Sequence, residues 1–444
     1  MGSFAILKNK NSKIISIFGE TYNSTMRHHI QRFLLLPAML LFVSMAFAQE
    51  LKTINGKIED ASTGYPLPFA SVTLLNSTFS NVANSEGEFS LKVPEENLND
   101  SLLVSFLGYR NLKVPVSDFT GKRSKRIKLY PTTMDIRSIT VRTDDAEDLF
   151  ISTFSSKAVK HNYPTDPAGM SGFYRETIKK GNKYLSLSEA VVDILKQSYT
   201  SSFGDNIAIY KGRGNTNRNA ADTVFMQLQG GPVTSLQMDI VKNPFIAADM
   251  VAATDLYEFR LGPLVFMDDL NIYTIDFNQA PGVKDILFRG RIYVESQTLA
   301  VVRIEFDMNV EGRDDAWKSF VRKKPDNVQL GVDWAKYQIN YRQNGEKWYM
   351  DYARIDLRFT AKYKGKWLKS KYDIITELAI TDTDNKSALK IPVADRFRMK
   401  DILQKEVADF QDEDFWEDYN IIEPDAKIEN IINRIIRQLK KERD

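Results

Sequence analysis

The chain has 444 residues, 43% apolar and 27% charged, which is enough for two or three globular domains and excludes a disordered chain or an integral helical bundle. Lys and Arg number 60 against 58 Asp and Glu, so a net charge of +2 gives no broad reason to seek a nucleic acid or other polyanion. Cysteine is absent and His28, His29 and His161 are the only histidines, which removes disulfides, thiolate metal sites, cysteine nucleophiles and most imidazole chemistry.

Residues 26–48 come first with a clear pattern. Met26 to Arg32 is basic, Phe33 to Val43 is apolar, and Ala46-Phe47-Ala48 supplies the A-x-A signature of a secretory signal cleaved after Ala48. Residues 1–25 form an extension ahead of Met26, the expected start. The apolar run is shorter than the roughly 20 residues a spanning helix needs, and no second long one follows. Removing residues 1–48 takes away five bases and one acid, leaving 55 against 57 and a net of −2. An exported protein of the periplasm or outer membrane is expected, without a lipid anchor, since no cysteine exists to carry one.

Residues 49–141 show short runs of β-favouring residues separated by turns, the pattern of a sandwich. Expected strands are 52–58, 70–75, 87–93, 102–107, 111–116 and 126–129. Alternation in Glu88-Phe89-Ser90-Leu91-Lys92-Val93 puts Phe89, Leu91 and Val93 on one buried face. Four stretches then carry a resemblance: Gly56 to Asp60, Thr63 to Val72, Asn84 to Phe89 and Ser105 to Tyr109. In order and content they resemble the carboxypeptidase regulatory-like domain, a transthyretin-like sandwich. The resemblance implies an accessory domain, of a fold also termed carbohydrate-binding-like and found ahead of outer-membrane nutrient receptors; it implies no peptidase.

Residues 142–400 begin with helical spacing over 144–162, stopped by Asn162-Tyr163-Pro164, and then return to strands. In Leu299 to Val310, Ala300, Val302, Ile304 and Phe306 share one face, with Arg303, Glu305 and Asp307 on the other. Tyr349 to Phe359 repeats this, with Ala353, Ile355, Leu357 and Phe359 inside and Arg354, Asp356 and Arg358 outside. Alternation of this kind predicts a large antiparallel sheet with one solvated face. Gly172 to Glu176, Tyr184 to Asp193, Tyr210 to Arg213 and Asp239 to Pro244 resemble the uncharacterised region that follows a regulatory-like sandwich in exported Gram-negative envelope proteins. The run 273–308, read as two strand pairs about Gly290, is similar to half-barrels that carry lipoproteins or lipids. In residues 401–444, Ile428, Ile431, Ile432, Ile435, Ile436 and Leu439 form the stripe of an amphipathic helix, expected to pack on the sheet. The fold class is therefore mainly β with some α.

Chemistry is sparse. His161 sits at a helix end, where a cation complements the dipole, and Ser-His-Asp catalysis has no other imidazole. The acidic pairs Asp268-Asp269, Asp314-Asp315 and Asp382-Thr383-Asp384-Asn385 suit turns more than a calcium loop, which requires a central Gly and a closing Glu. Lys211-Gly212-Arg213-Gly214 lacks the ending of a phosphate loop. Alternation puts Trp348, Met350 and Tyr352 opposite Ala353 and Ile355, an aromatic platform for sugars or a packing surface. The candidate ligand-binding residues are Tyr174, Arg175, Glu176, Glu189, Lys211, Arg213, Asp239, Lys242, Trp348 and Tyr352, the charged ones as a buried polar network. No catalytic residue, metal or cofactor is implied. The expected function is a non-enzymatic exported accessory protein that binds an envelope protein or glycan. The alternatives are a periplasmic carrier of an apolar ligand such as a lipid, which needs a dry cavity between sheet and helix, and a carboxylate-based hydrolase.

Overall fold

The computed structural model describes residues 51–119, 124–132, 143–181, 183–216, 230–244, 250–320, 326–407, 415–416 and 419–443. The signal segment and the cleavage site after Ala48 lie outside them. Lys52–Asp444 forms one compact unit containing two separate large apolar cores.

The first core lies between two small sheets. β1 (Leu51–Asp60), β2 (Ser71–Leu74), β3 (Ser80–Val82), β4 (Glu88–Pro94), β5 (Ser101–Ser105), β6 (Leu112–Pro115) and β7 (Lys125–Leu129) assort as β4-β1-β7 and β3-β2-β5-β6. Phe89, Leu91 and Val93 point into this core, as their alternation requires. Gly87 takes φ +77° between Asn84 and β4, and a Cβ there would meet the Ile58 carbonyl at 2.5 Å, so this turn needs glycine. The three residues of β3 are too few to show a period in sequence.

Two helices follow, α1 (Thr143–Thr153) and α2 (Ser156–Asn162), where one was expected. The break falls at Ser155, whose hydroxyl accepts from the Ala158 amide and caps the second helix. The second core belongs to an 11-stranded sheet. Its members are β8 (Ala168–Lys180), β9 (Lys183–Lys196), β10 (Asn206–Thr216), β11 (Tyr257–Leu261), β12 (Val265–Met267), β13 (Leu270–Gln279), β14 (Phe288–Glu295), β15 (Val301–Met308), β16 (Val328–Asn344), β17 (Lys347–Tyr363) and β18 (Ser370–Asp382). Their order is β10-β9-β8-β18-β17-β16-β15-β14-β13-β11, with β12 also on β13. All pairs in this sheet are antiparallel, and the last strand closes the gap between the first hairpins and the later meander. The short helices α3 (Gly231–Gln237) and α4 (Met250–Leu256) were not foreseen; with α1 they contribute to the core on one face of the sheet, the inner face.

Gly290 is not a turn residue. It lies inside β14, where a Cβ would meet the Glu305 carbonyl at 2.1 Å and Phe306 Cβ at 2.6 Å, so its role is close strand approach. Beyond α5 (Leu403–Glu406), α6 (Ala426–Arg443) buries Ile428, Ile431, Ile432, Ile435 and Ile436 in a cluster with Leu187 of β9. Among the described residues no helix is long and apolar enough to cross a membrane.

Candidate functional site

β8 is covered on both faces, and this decides where its residues go. Tyr174 and Glu176 point to the inner face, while Phe173 and Arg175 point to the outer one. On the outer face Arg175 donates from Nε to Glu189 Oε1 at 2.8 Å, and Arg213 donates to Glu189 Oε2 at 2.8 Å. Glu189 is wholly buried. Burial works to raise its carboxyl, but the Arg175 and Arg213 guanidiniums outweigh burial and hold it below the usual carboxylate range. Arg175 also donates from Nη2 to the Ile422 carbonyl at 2.8 Å, so the segment leading into α6 lies across the ion group. Lys211 sits beside it, with Nζ 4.4 Å from the centre of the Phe415 ring.

Glu176 belongs to a different environment. Its Oε2 accepts from the Tyr174 hydroxyl at 3.1 Å, and its direct cross-strand neighbours are Ser188 and Thr376. Burial pushes its carboxyl up to about 7, against the smaller opposite effect of the Tyr174 hydroxyl. Asp239 and Lys242 form a third group, with Lys196. Lys196 Nζ lies 2.7 Å from both Asp205 and Asp239, Tyr341 donates to Asp239 at 2.8 Å, and Lys242 Nζ donates to the Ser198 and Ser201 carbonyls. The expected single polar network is thus three groups: Arg175, Glu189 and Arg213 in one, Glu176 with Tyr174 in another, Asp239 and Lys242 in the last.

The aromatic platform needs correction. A bulge in the β16–β17 pairing leaves Asp351 between the partners Tyr341↔Met350 and Asn340↔Tyr352. The extra residue shifts the alternation by one. Trp348 and Met350 therefore share the inner core with Ala353 and Ile355, while Tyr352 lies in the outer cluster, stacked 5.3 Å from Phe69 of the sandwich. Trp348 and Tyr352 are both buried, and Trp367, beyond the far end of β17, is 93% exposed.

The acidic pairs do not converge on a cleft. Asp268, Asp269, Asp314 and Asp315 stand on exposed turns, and Asp382 accepts from the Asp384 amide at 3.0 Å. Asn385 accepts from the Ser387 amide, shaping the next turn. No group of acids and histidines that could hold a metal ion occurs among the described residues.

One feature was missed by reading residues singly. Across β10, β9, β8, β18, β17, β16, β15, β14, β13 and β11, directly paired positions run Arg213, Glu189, Arg175, Glu377, Arg354, Gln338, Glu305, Arg291, Asp276 and Arg260. Opposite charges alternate along this outer-face row, interrupted by one glutamine. Directly paired side chains stand about 5 Å apart, so each charge meets its opposite. Arg354 Nη1 lies 2.9 Å from Glu377, which also accepts from Tyr352 at 2.7 Å, and Arg291 Nη2 lies 2.9 Å from Asp276. A second row beside it runs Arg289, Asp307, Lys336 and Asp356.

The two ends of the ladder differ. Over β8 to β10, Trp416 and Ile422 cover it, while the sandwich residue Phe69 lies over Arg354 and Tyr352 of β17. From β13 to β17 it lines an open cleft of about 700 Å³. The signal was present in sequence as the wet-face residues Glu305 and Arg354 of the first row and Asp307 and Asp356 of the second, but the register that aligns them was not.

The protein is thus a β-sandwich module joined to a large antiparallel sheet with a charged outer face. Residues 54–141 match the family described as CarboxypepD_reg-like domain, so the chain carries that domain at its sandwich. No curated protein matches the chain. Two solved structures are similar: a DUF1329 family protein from Desulfovibrio piger, 13% identical with a TM-score of 0.23 over 56% of this chain and 100% of that one, and a LolA superfamily protein from Nitrosomonas europaea, 11% identical with a TM-score of 0.20 over 57% and 99%. Likenesses of that size say nothing about a ligand.

Proposed function

We propose that the chain is a non-enzymatic binding protein of the cell envelope that holds an extended segment of a partner protein on the open half of its charge ladder. The carrying observation is the contrast between the halves. Over β8 to β10 the ladder is completed by the protein's own chain, which gives the Ile422 carbonyl to Arg175. From β13 to β16 the row of Asp276, Arg291, Glu305 and Gln338 faces the cleft uncovered by any such segment among the described residues. A row of donors and acceptors spaced by the strand separation suits the backbone and side chains of a second extended chain, and its mixed sign selects against a simple polyion.

The carrier alternative requires a dry cavity on the inner face. Along β11 to β17 that side is occupied by packed rings: Phe150 on Phe259 at 4.4 Å and Phe306 on Tyr337 at 4.7 Å. The hydrolase alternative requires two carboxyls turned into one cleft, where Asp276 and Glu305 are each engaged by arginines.

A photo-crosslinking residue at Lys336, in the native cell, tests the proposal. One defined protein should be trapped, and the Arg291→Glu variant should lose it while folding normally. Recovery of a stoichiometric glycan or lipid with the purified chain, and no protein adduct, would sink this reading, as would equal trapping from the exposed residue Lys157 on α2.

A further inference from the structure

We infer that one end of the large sheet is a docking surface for an anionic lipid membrane. The β17–β18 hairpin ends in Lys362-Tyr363-Lys364-Gly365-Lys366-Trp367-Leu368-Lys369-Ser370-Lys371, which holds five lysines and no acid. All five lysines are exposed. Trp367 is 93% and Leu368 78% exposed, side by side at the tip. A tryptophan this exposed is unusual, because burying its ring contributes strongly to folding wherever a site exists. Here the hairpin carries it beyond the sheet.

The neighbouring β8–β9 hairpin adds to the same end. The Gly181 amide donates to the Lys371 carbonyl at 3.0 Å, which brings Lys179, Lys180 and Lys183 alongside. Opposing acids nearby are Asp314, Asp326 and Asp333, which line the cleft beneath the tip, and Asp373, which is engaged by Arg358. Bases exceed them. The chain's small net charge therefore conceals a local concentration of positive charge.

The chemistry of the tip favours a lipid surface over other anionic partners. The hairpin's cations are all lysines, compact charges on flexible stems, without the planar fork by which arginine selects individual phosphates or carboxylates. A fluid surface of headgroups needs no such geometry. Tryptophan prefers the boundary between headgroups and acyl chains, and a Trp-Leu pair on a protruding hairpin is shaped to enter it. The sandwich lies at the other end of the strands, where Ser80 donates to the Ile380 carbonyl and Phe79 pairs with Asp382. A membrane-bound tip would thus hold the sandwich away from the bilayer.

Co-sedimentation of residues 49–444 with vesicles of phosphatidylcholine containing 30% phosphatidylglycerol tests this, since about 1 kcal/mol per lysine corresponds to roughly fivefold in affinity for each. The wild-type chain is expected to bind these vesicles, to release them as salt rises to about 0.5 M, and to bind pure phosphatidylcholine far more weakly. Lys364→Glu with Lys366→Glu and Lys369→Glu should weaken binding by at least on the order of 100-fold. Trp367→Ser with Leu368→Ser should lose the blue shift of tryptophan emission that vesicles produce in the wild type. All these positions are exposed, and circular dichroism is the check that each variant is folded. Absence of wild-type binding, equal binding to neutral vesicles, or full binding by the lysine variant would overturn the inference.

Discussion

Arg175 and Glu189 face each other across β8 and β9 with 2.8 Å between Nε and Oε1, and neither side chain reaches water. Arg213 takes the other oxygen from β10, so one carboxylate answers two guanidiniums. Such a group gives limited net stability, because withdrawing three charges from water offsets much of their attraction. Its removal by halves is a different matter.

Glu189→Ala would leave two buried arginines facing each other. The expected cost is about 3–5 kcal/mol, read as a lower urea midpoint. Arg213→Met should cost less, since Glu189 keeps Arg175. The carboxyl of Glu189 is held low in the folded state, so its pairing stabilises above the ordinary carboxylate range and is lost as pH falls through the folded value. A Glu189→Ala variant as stable as the wild type at pH 7 would contradict the assignment.

Glu176 carries the opposite pH dependence. Its carboxyl titrates near 7 when folded against an ordinary 4.5, so the folded chain holds the proton more tightly than the unfolded chain does. Stability from this group is complete below about 4.5 and declines as pH rises through 7, by roughly 3 kcal/mol in all. Glu176→Gln keeps a neutral side chain of the same shape and should flatten that decline. Urea unfolding at pH 5 and pH 8 checks it: the variant should gain on the wild type at the higher pH, and an unchanged gap would exclude Glu176 as the source.

Strand β8 explains how much of this could be read in advance. Strands β15 and β17 were legible because water covers one face, so Ile304, Phe306, Ile355 and Leu357 alternate with charges. β8 has covers on both faces, and Phe173-Tyr174-Arg175-Glu176 shows no such period. Its outer cover arrives 247 residues later with Ile422, a separation no local pattern reports. Asp351 shows a second obstacle, since one inserted residue reverses the faces of Trp348 and Tyr352 and leaves no mark in the composition. The charge ladder required both the pairing partners and the register, and strand order here joins β18 (Ser370–Asp382) to β8 (Ala168–Lys180), far apart in sequence.

Asp351 also makes the joint between the modules. Its Oδ1 accepts from Arg342 Nε at 2.8 Å and its Oδ2 accepts from Ser71 of β2 at 3.1 Å, while Arg342 Nη2 reaches Ser80 of β3 at 2.8 Å. The bulge that spoils the alternation thus delivers a buried carboxylate to the sandwich. Asp351→Ala should leave Arg342 buried without its counter-ion and cost about 3–5 kcal/mol, felt first at the joint. Hydrogen exchange should therefore accelerate at the amides of β2 and β3, which carry Ser71 and Ser80, before those of β1 and β4, which belong to the sandwich's other sheet. Pairing Asp351→Leu with Arg342→Met removes both charges together and should recover most of the loss, because apolar side chains of similar volume replace the ion pair. A double variant no more stable than Asp351→Ala would show that the joint depends on these charges for more than mutual compensation.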